Sequence, residues 1–122
     1  MPKKVLVVDD SVTVRQQVRL ALGQSGFQVV DAVDGVDGRH KLETVDDIGL
    51  VICDVNMPRM GGLELLELVK SQPKHAALPV VMLTTEGQPA LIKRARKAGA
   101  KGWIVKPFKA NLLVEAARKL CK

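Results

Sequence analysis

At 122 residues the chain has room for one domain with a single hydrophobic core, because globular domains cluster around about 100 to 150 residues. Apolar residues make up 47% of the chain and charged residues 26%, a balance that excludes intrinsic disorder, and no apolar run approaches the roughly 18 residues that a membrane-spanning helix needs. The net charge of +6 is compatible with nucleic acid, an acidic membrane surface or an acidic protein as the binding partner, and it does not distinguish among these three classes.

Along the chain, short β-branched runs alternate with stretches of helical periodicity. Five runs are predicted to be strands: residues 4–8, 28–31, 50–53, 80–83 and 103–105. The first helix is the clearest, because its apolar residues recur at i, i+4, i+7 and i+8 and its polar residues take the opposite face. The apolar positions are Val14, Val18, Ala21 and Leu22, and the polar positions are Arg15, Gln16 and Arg19.

Helix ends and the later helices are marked by capping and breaking residues. Ser11 is the predicted N-cap of the first helix, and Gly23 or Gly26 ends it. The second helix is predicted near residues 36–44 and the third at 62–71. The fourth starts at Pro89 and closes at Gly99. The fifth follows Pro107, with core spacing at Leu112, Leu113, Ala116, Ala117 and Leu120.

Strand and helix alternating in this way predict an α/β fold, a doubly wound (βα)5 domain with one parallel sheet and helices on both of its faces. Crossovers between parallel strands are right-handed, so the carboxyl ends of all strands lie along one edge of the sheet. Ligands of open α/β sheets bind at that edge, where the strand order reverses. The residues that follow each strand are therefore the candidate site.

Polar side chains follow four of the five predicted strands. They are Asp9 and Asp10 after the first, Asp54 after the third, Thr84 and Thr85 after the fourth, and Lys106 after the fifth. Three carboxylates brought together repel one another, so a positive charge must lie among them. Because no His or Cys joins the set, the oxygen donors favour a hard cation, and a small site that keeps several waters suits Mg²⁺ better than Ca²⁺.

Each of these residues taken singly has an ordinary structural explanation. An aspartate after a strand is most often a turn former or helix cap, which is the interpretation we adopt for Asp34, Asp37, Asp46 and Asp47. Cys53 lies on a buried strand and is expected to be an inert thiol, unpaired with Cys121, as in a cytoplasmic protein. His40 and His75 are expected at the surface.

Four motifs together identify a family resemblance. "VDDS" after strand one, "DVNMPRMGG" around Asp54, "LTTE" at strand four and "GWIVKPF" at strand five resemble the receiver domain of two-component response regulators, over essentially the whole of residues 1–122. The resemblance implies a flavodoxin-like sheet of strand order 2-1-3-4-5. Because the sequence ends with the fifth helix, it resembles a stand-alone regulator, and among such regulators it most resembles those of the chemotaxis type.

The resemblance also assigns roles to the site residues. Asp54 would accept a phosphoryl group from the phosphohistidine of a histidine kinase. Asp10, Asp54 and the backbone carbonyl of Asn56 would hold Mg²⁺ directly, and Asp9 would act largely through a bound water. Lys106 would bind the phosphoryl group from the opposite side and offset the acidic cluster beforehand. Its bond to Pro107 would be cis, an isomer that only X-Pro bonds reach cheaply.

Thr84 and Trp103 match the pair of residues that switches conformation in this family. The threonine hydroxyl would move to the phosphoryl group, and the strand-five aromatic would turn inward into the vacated space. Plain core packing is the alternative for Trp103, which stands where a tyrosine is usual. Asn56 and Glu86 match site-lining positions of regulators that lose their phosphoryl group quickly, which predicts a short-lived signal.

A basic segment predicts the partner surface. Lys93, Arg94, Lys97 and Lys101 cluster in and just beyond the fourth helix, and Arg94, Lys97 and Lys101 are spaced to share a helical face. A solvated face is the alternative interpretation. The family resemblance implies that this helix, strand five with Trp103 and helix five form the output surface, which would bind an acidic segment such as a flagellar-motor switch protein provides.

Other functions compete with this interpretation. An aspartyl-phosphate hydrolase also uses a nucleophilic aspartate with Mg²⁺, but its D-x-D motif has a general acid where this chain has Asn56. A phosphate sink that drains a kinase without a motor partner is a further alternative. A DNA-binding regulator is disfavoured, since no recognition helix follows the fifth helix. We expect a cytoplasmic monomer that is a switch and not an enzyme, with no nucleic acid or membrane partner.

Overall fold

The computed structural model describes residues 3–55, 57, 59–85 and 89–121. Strands and helices alternate throughout, as predicted. In chain order they are β1 (Lys4–Val8), α1 (Val12–Gln24), β2 (Gln28–Ala32), α2 (Gly35–Thr44), β3 (Ile48–Asp54), α3 (Gly62–Ser71), β4 (Val80–Thr84), α4 (Pro89–Lys97), β5 (Gly102–Val105) and α5 (Ala110–Leu120). Each predicted element is present, and strand bounds differ by at most two residues.

The strands of the described part form one parallel sheet in the order β2-β1-β3-β4-β5. This confirms the order that the family resemblance implied. Val8 pairs with Ala32 on one side and with Cys53 on the other, so the order reverses at β1. The crevice outside the carboxyl ends of β1 and β3 is therefore the place where an open α/β sheet binds its ligand.

Side-chain alternation along the strands divides the core between the two faces of the sheet. Val5 and Val7 of β1 pack on the face covered by α1 and α5, where the helices contribute Leu22 and Leu113. Leu6 and Val8 point to the face covered by α2, α3 and α4, where Leu65, Leu66 and Val69 of α3 are buried. The inner strands are consequently apolar on both sides, as parallel sheets require.

Packing is uneven across the sheet. Within α4 only Ala95 is buried, and no residue of β5 is fully buried. By contrast, every residue of β4 and the last five residues of β3 are buried. The α4 and β5 side of the described chain therefore contributes little to the core.

The predicted helix boundaries are largely confirmed by their capping contacts. The Ser11 hydroxyl accepts a hydrogen bond from the Val14 amide at 3.3 Å and caps α1. Gly26 at φ +90° and Gly99 at φ +103° take left-handed conformations just beyond α1 and α4, which glycine adopts without strain. The described residues contain no helix long and apolar enough to cross a membrane.

Two predicted helix faces need correction. Arg15 was predicted on the polar face of α1, yet its side chain is only 12% exposed, and its guanidinium pairs with Asp31 and donates to the Asp9 carbonyl. Leu112 was predicted in the core, but it is 46% exposed. The buried stripe of α5 consists of Leu113 and Ala117, and Leu112 lies in a groove beside β5, which is an edge strand of the sheet that the described residues form.

Candidate functional site

Three carboxylates meet at the carboxyl ends of β1 and β3. Val8 and Cys53 are partners in the register of these strands, so the residues that follow them, Asp9 and Asp54, come out side by side. One carboxylate oxygen each from Asp9, Asp10 and Asp54 lie within 4.8 Å of one another. Asp9 and Asp54 are buried, whereas Asp10 is exposed. The predicted acidic cluster is therefore assembled with one side open to solvent.

Lys106 provides the positive charge of this cluster. Its Nζ lies 2.9 Å from Asp9 Oδ2 and 3.3 Å from Asp54 Oδ1, which its long stem allows although β4 separates β5 from β3. Burial alone would lower the pKa of the ammonium group, but the hydrogen bond to Asp9 and the charges of Asp9 and Asp54 outweigh it and raise the pKa. Lys106 is therefore firmly protonated. Its bond to Pro107 is cis, as the resemblance implied.

Asp9 is bound by three residues, through both carboxylate oxygens and its backbone carbonyl. Its Oδ1 accepts from the Ser11 amide at 2.9 Å while Oδ2 binds Lys106, and its backbone carbonyl accepts from Arg15 Nη1 at 2.7 Å. Both carboxylate oxygens are thus already engaged within the protein. Asp10, by contrast, is the exposed carboxylate of the three and faces solvent.

Thr84 and Trp103 share one face of the sheet. Thr84 ends β4 and is buried. The register pairs Met82 with Trp103 and Thr84 with Val105, so Trp103 lies on the neighbouring strand, two residues before the position opposite Thr84. Trp103 is half-buried and packs against the core cluster under α4. Its indole Nε1 is buried and has no hydrogen-bond partner among the described residues. Thr85, just beyond β4, is exposed.

Close packing fixes the start of α3 against the acidic cluster. A Cβ at Gly62 would overlap the backbone carbonyl of Asp54, so only glycine allows the helix to begin there. Asn56 and Glu86, the other predicted site residues, lie outside the described residues.

Burial raises the pKa of the Cys53 thiol, and the charges of Asp54 and Asp9 raise it further. The thiol is therefore protonated and inert, which confirms the structural interpretation. His40 is exposed and His75 half-buried.

The basic residues of the predicted partner surface are all exposed, but they do not form one helical face. α4 ends at Lys97, so the helical spacing holds for Arg94 and Lys97 and not for Lys101, which lies beyond Gly99. Arg94 Nη2 also binds Glu67 of α3 at 2.8 Å, which directs it away from β5. Lys93, Lys97 and Lys101 are exposed, and of these three Lys101 lines the same groove as Trp103.

Sequence patterns missed two arginines near the site. Arg15 joins the Asp9 carbonyl to Asp31, and Arg59 Nε donates to Asp34 Oδ2 at 2.7 Å. Asp34 was correctly predicted to be a cap, since its Oδ1 accepts from the Asp37 amide at 2.8 Å. No local pattern pairs residues 25 positions apart, so the Arg59 contact has no signal in a single sequence.

Comparison with known families decides the classification. The model of the response regulator receiver domain matches residues 5–118. The chain belongs to this family. The receiver domain therefore accounts for nearly the whole sequence, and its acidic cluster is the part of the fold that the "VDDS" and "DVNMPRMGG" motifs supply.

Relatives of this receiver domain carry chemotaxis names. Chemotaxis protein CheY1 of Helicobacter pylori is 42% identical over 113 residues, which are 92% of this chain and 91% of that protein. The chemotaxis protein CheY homolog of Campylobacter jejuni is also 42% identical over 113 residues, 92% of this chain and 87% of that protein. The chain is thus a CheY-like receiver domain, a class of switch proteins that are generally not enzymes.

Solved structures agree with this assignment. Chemotaxis protein CheY4 of Vibrio cholerae has a TM-score of 0.91 at 37% identity, covering 98% of this chain and 99% of that one. A response regulator receiver protein from Pseudomonas putida has a TM-score of 0.92 at 27% identity, with 98% of each chain covered. The fold of this receiver domain is therefore shared closely with CheY-like proteins.

Proposed function

We propose that this protein is a single-domain response regulator, in which Asp54 accepts a phosphoryl group from a histidine kinase with the help of Mg²⁺. One observation carries the proposal: three clustered carboxylates are bridged by the ammonium group of Lys106, which contacts both Asp9 and Asp54. A structural role alone would not require three unrelated connections to bring these charges to one edge.

The charge balance of the cluster fits a divalent cation. Three carboxylates (Asp9, Asp10 and Asp54) and one ammonium group (Lys106) leave a net charge of about −2. All the donors are oxygen atoms, which Mg²⁺ prefers, and the exposed side at Asp10 leaves room for the waters that it retains. Asp10, Asp54 and the Asn56 carbonyl would hold it, and Asp9 would act through water. When bound, Mg²⁺ neutralises charge on the transferring phosphoryl oxygens.

The transfer itself is an in-line displacement at phosphorus. A carboxylate oxygen of Asp54 forms the new P–O bond while the P–N bond to the kinase histidine breaks, and the imidazole leaves with the electron pair of that bond and takes up a proton. Lys106 would donate to the phosphoryl oxygens, because its Nζ already lies 3.3 Å from Asp54 Oδ1.

Phosphorylation would be read out through Thr84 and Trp103. The buried hydroxyl of Thr84 ends the strand next to Asp54, and Trp103 lies behind it on the same face. Movement of the hydroxyl to the phosphoryl group would shift the population between two packings of the indole ring.

The output surface would be the groove between β5 and α5. This groove has a volume of about 480 Å³, with apolar Trp103, Val105 and Leu112 in it and with Lys101 and Lys119 among its lining residues. An acidic helix with one or two large apolar side chains would fit it. The chemotaxis names of the relatives favour a flagellar-motor switch protein as the partner.

The fluorescence of Trp103, the single tryptophan of the sequence, tests the site directly. We expect one change on adding Mg²⁺ and a second on adding acetyl phosphate or beryllofluoride. The second change should be absent from Asp54→Asn. A wild type that does not respond, or an unaltered response in Asp54→Asn, would overturn the proposal. Steady hydrolysis of p-nitrophenyl phosphate would instead favour a hydrolase.

A further inference from the structure

The guanidinium group of Arg15 joins the end of β1 to β2 next to the acidic cluster. Its Nη1 donates to the backbone carbonyl of Asp9 at 2.7 Å, and its Nε donates to Asp31 Oδ2 at 3.2 Å. The side chain is only 12% exposed although it carries a full charge. A charge that is largely buried needs partners, and one of the partners here is the backbone of a cluster residue.

The peptide group between Asp9 and Asp10 is attached to the rest of the protein through this contact. The Asp9 amide donates to the Ala32 carbonyl at 3.1 Å, and the Asp9 carbonyl accepts from Arg15. Because a peptide unit is planar, the direction of the Asp9 carbonyl also sets the positions of the Asp10 nitrogen and Cα. Arg15 therefore acts on the backbone that carries Asp10.

Asp10 depends on its backbone more than the other two carboxylates of the cluster do. It is exposed, whereas Asp9 and Asp54 are buried. The carboxylate of Asp9 is also bound by the Ser11 amide and by Lys106. Packing does not confine an exposed side chain, so the position of its backbone decides where its carboxylate can reach. A shift of the Asp9–Asp10 peptide would consequently move the Asp10 carboxylate relative to the other two.

Asp31 of β2 orients the guanidinium group. Its Oδ2 accepts from Arg15, and its Oδ1 accepts from Arg19 Nη2 at 2.6 Å. Arg19 Nη1 donates in addition to the Val29 carbonyl at 3.2 Å, so both carboxylate oxygens of Asp31 are engaged by anchored donors. The donors of a guanidinium lie in one rigid plane. With Nε bound to Asp31, the direction of Arg15 Nη1 toward the Asp9 carbonyl is therefore fixed.

We infer that Arg15 is a positioning residue for the cation site: oriented by Asp31, it fixes the Asp9–Asp10 peptide so that Asp10 meets the cation without rearrangement. The inference rests on the Mg²⁺ site of the proposed function. It places part of the determinant of Mg²⁺ affinity in α1 and β2, outside the three carboxylates. A pre-organised ligand lowers the cost of binding, because the cation need not order the backbone that carries it.

The sign of the effect distinguishes this role from simple electrostatics. Arg15 carries a positive charge, so removing it would strengthen the binding of a cation if the charge alone mattered. If Arg15 positions Asp10, its removal weakens the binding instead. Arg15→Met is the discriminating variant, because it keeps an unbranched side chain and removes every donor. A purely structural role would lower Tm and leave the Mg²⁺ affinity of the folded protein unchanged.

The test is a calorimetric titration of the full chain with Mg²⁺. We expect Arg15→Met to bind about ten-fold more weakly than the wild type, the lower end of what losing an outer-shell partner costs a metal site. Arg19→Met is the matched control, because it removes the same charge one turn further along α1 and a contact to the same Asp31 carboxylate, but it leaves the Arg15 contact to Asp9 in place. Its affinity should equal that of the wild type.

A second variant keeps the test decisive if Arg15→Met does not fold. Arg15→Lys retains the charge at this position, but a single ammonium group cannot reproduce the planar fork that reaches both Asp9 and Asp31. We expect it to bind Mg²⁺ several-fold more weakly, whereas a role through charge alone predicts no change. Circular dichroism and thermal unfolding in EDTA check that each variant is folded at the temperature of the titration.

The outcomes separate the failure of this inference from the failure of the proposed function. If the wild type does not bind Mg²⁺, the proposed function is wrong. If the wild type binds but Arg15→Met binds equally well or more tightly, the positioning role is wrong, and wild-type affinity in Arg15→Lys leads to the same conclusion. An equal loss of affinity in Arg19→Met would also contradict the positioning role, because that variant keeps the contact between Arg15 and Asp9.

Discussion

Replacing Asp10 with asparagine should stabilise the protein in the absence of divalent cations. Asp10 is the exposed member of a cluster in which a carboxylate oxygen of each aspartate lies within 4.8 Å of the others. At that separation two like charges repel by about 0.9 kcal/mol in water and about 3.5 kcal/mol at an effective dielectric constant of 20. Removing the charge of Asp10 relieves its repulsion with both Asp9 and Asp54.

The net effect is smaller than the sum of these repulsions. Asp10 is exposed to water, and Lys106 already offsets part of the negative charge. We therefore expect Asp10→Asn to raise the free energy of unfolding by about 1 to 2 kcal/mol at low ionic strength, which corresponds to about 4 to 8 °C in Tm for a chain of this length. Asparagine is nearly isosteric, so packing should not contribute.

Thermal and urea unfolding in EDTA and in excess Mg²⁺ measure this effect. Mg²⁺ should stabilise the wild type by mass action and should stabilise Asp10→Asn much less, so the order of stability reverses as the cation is added. Asp46→Asn is the control, since Asp46 is exposed and follows α2 at the opposite edge of the sheet. If Asp10→Asn were less stable than the wild type in EDTA, the repulsion argument would be refuted.

Three further predictions follow from the same contacts. Lys106→Met should destabilise the cation-free protein by about 2 to 3 kcal/mol, because it leaves the buried carboxylate of Asp9 without its partner, and urea unfolding should show part of this loss restored by Mg²⁺. Gly62→Ala should lower Tm and slow labelling by acetyl phosphate together, since its Cβ would overlap the Asp54 carbonyl, whereas Gly23→Ala, with open space around it, should do neither. The hydrogen bond from Arg59 holds the pKa of Asp34 below its ordinary value of 3.8, so its contribution to stability is present above that pH and is lost as the pH falls through the lower, folded pKa. Acid unfolding of Asp34→Asn should therefore lack this part of the pH dependence.

The sequence predicted the site residues that come directly after the end of a strand. Hydrophobic alternation located the strands, and parallel topology placed Asp9, Asp54 and Lys106 at one edge whatever their distance in the chain. This reasoning needs no side-chain detail. It therefore succeeded for charges that directly follow a strand.

Contacts made by loops and by long side chains could not be predicted in the same way. The partner of Arg59 depends on one left-handed residue in a connection, and the inward turn of Arg15 depends on Asp31, which lies 16 positions away. Leu112 satisfied helical core spacing, but it lies in the groove beside the edge strand β5 and is 46% exposed. The spacing of apolar residues predicts which face of a helix is apolar, but it does not predict whether another element packs against that face.

The sparse packing of α4 and β5 has a thermodynamic consequence for signalling. With Ala95 as the one buried residue of α4 and none fully buried in β5, local opening of this part breaks few apolar contacts. Its amide protons should exchange with solvent before those of β1 and β3. In the proposed function, the free energy of one new hydrogen bond to Thr84 would then be enough to redistribute the conformers of α4 and β5. A partner that covers the groove would in turn supply the burial that the sheet lacks there.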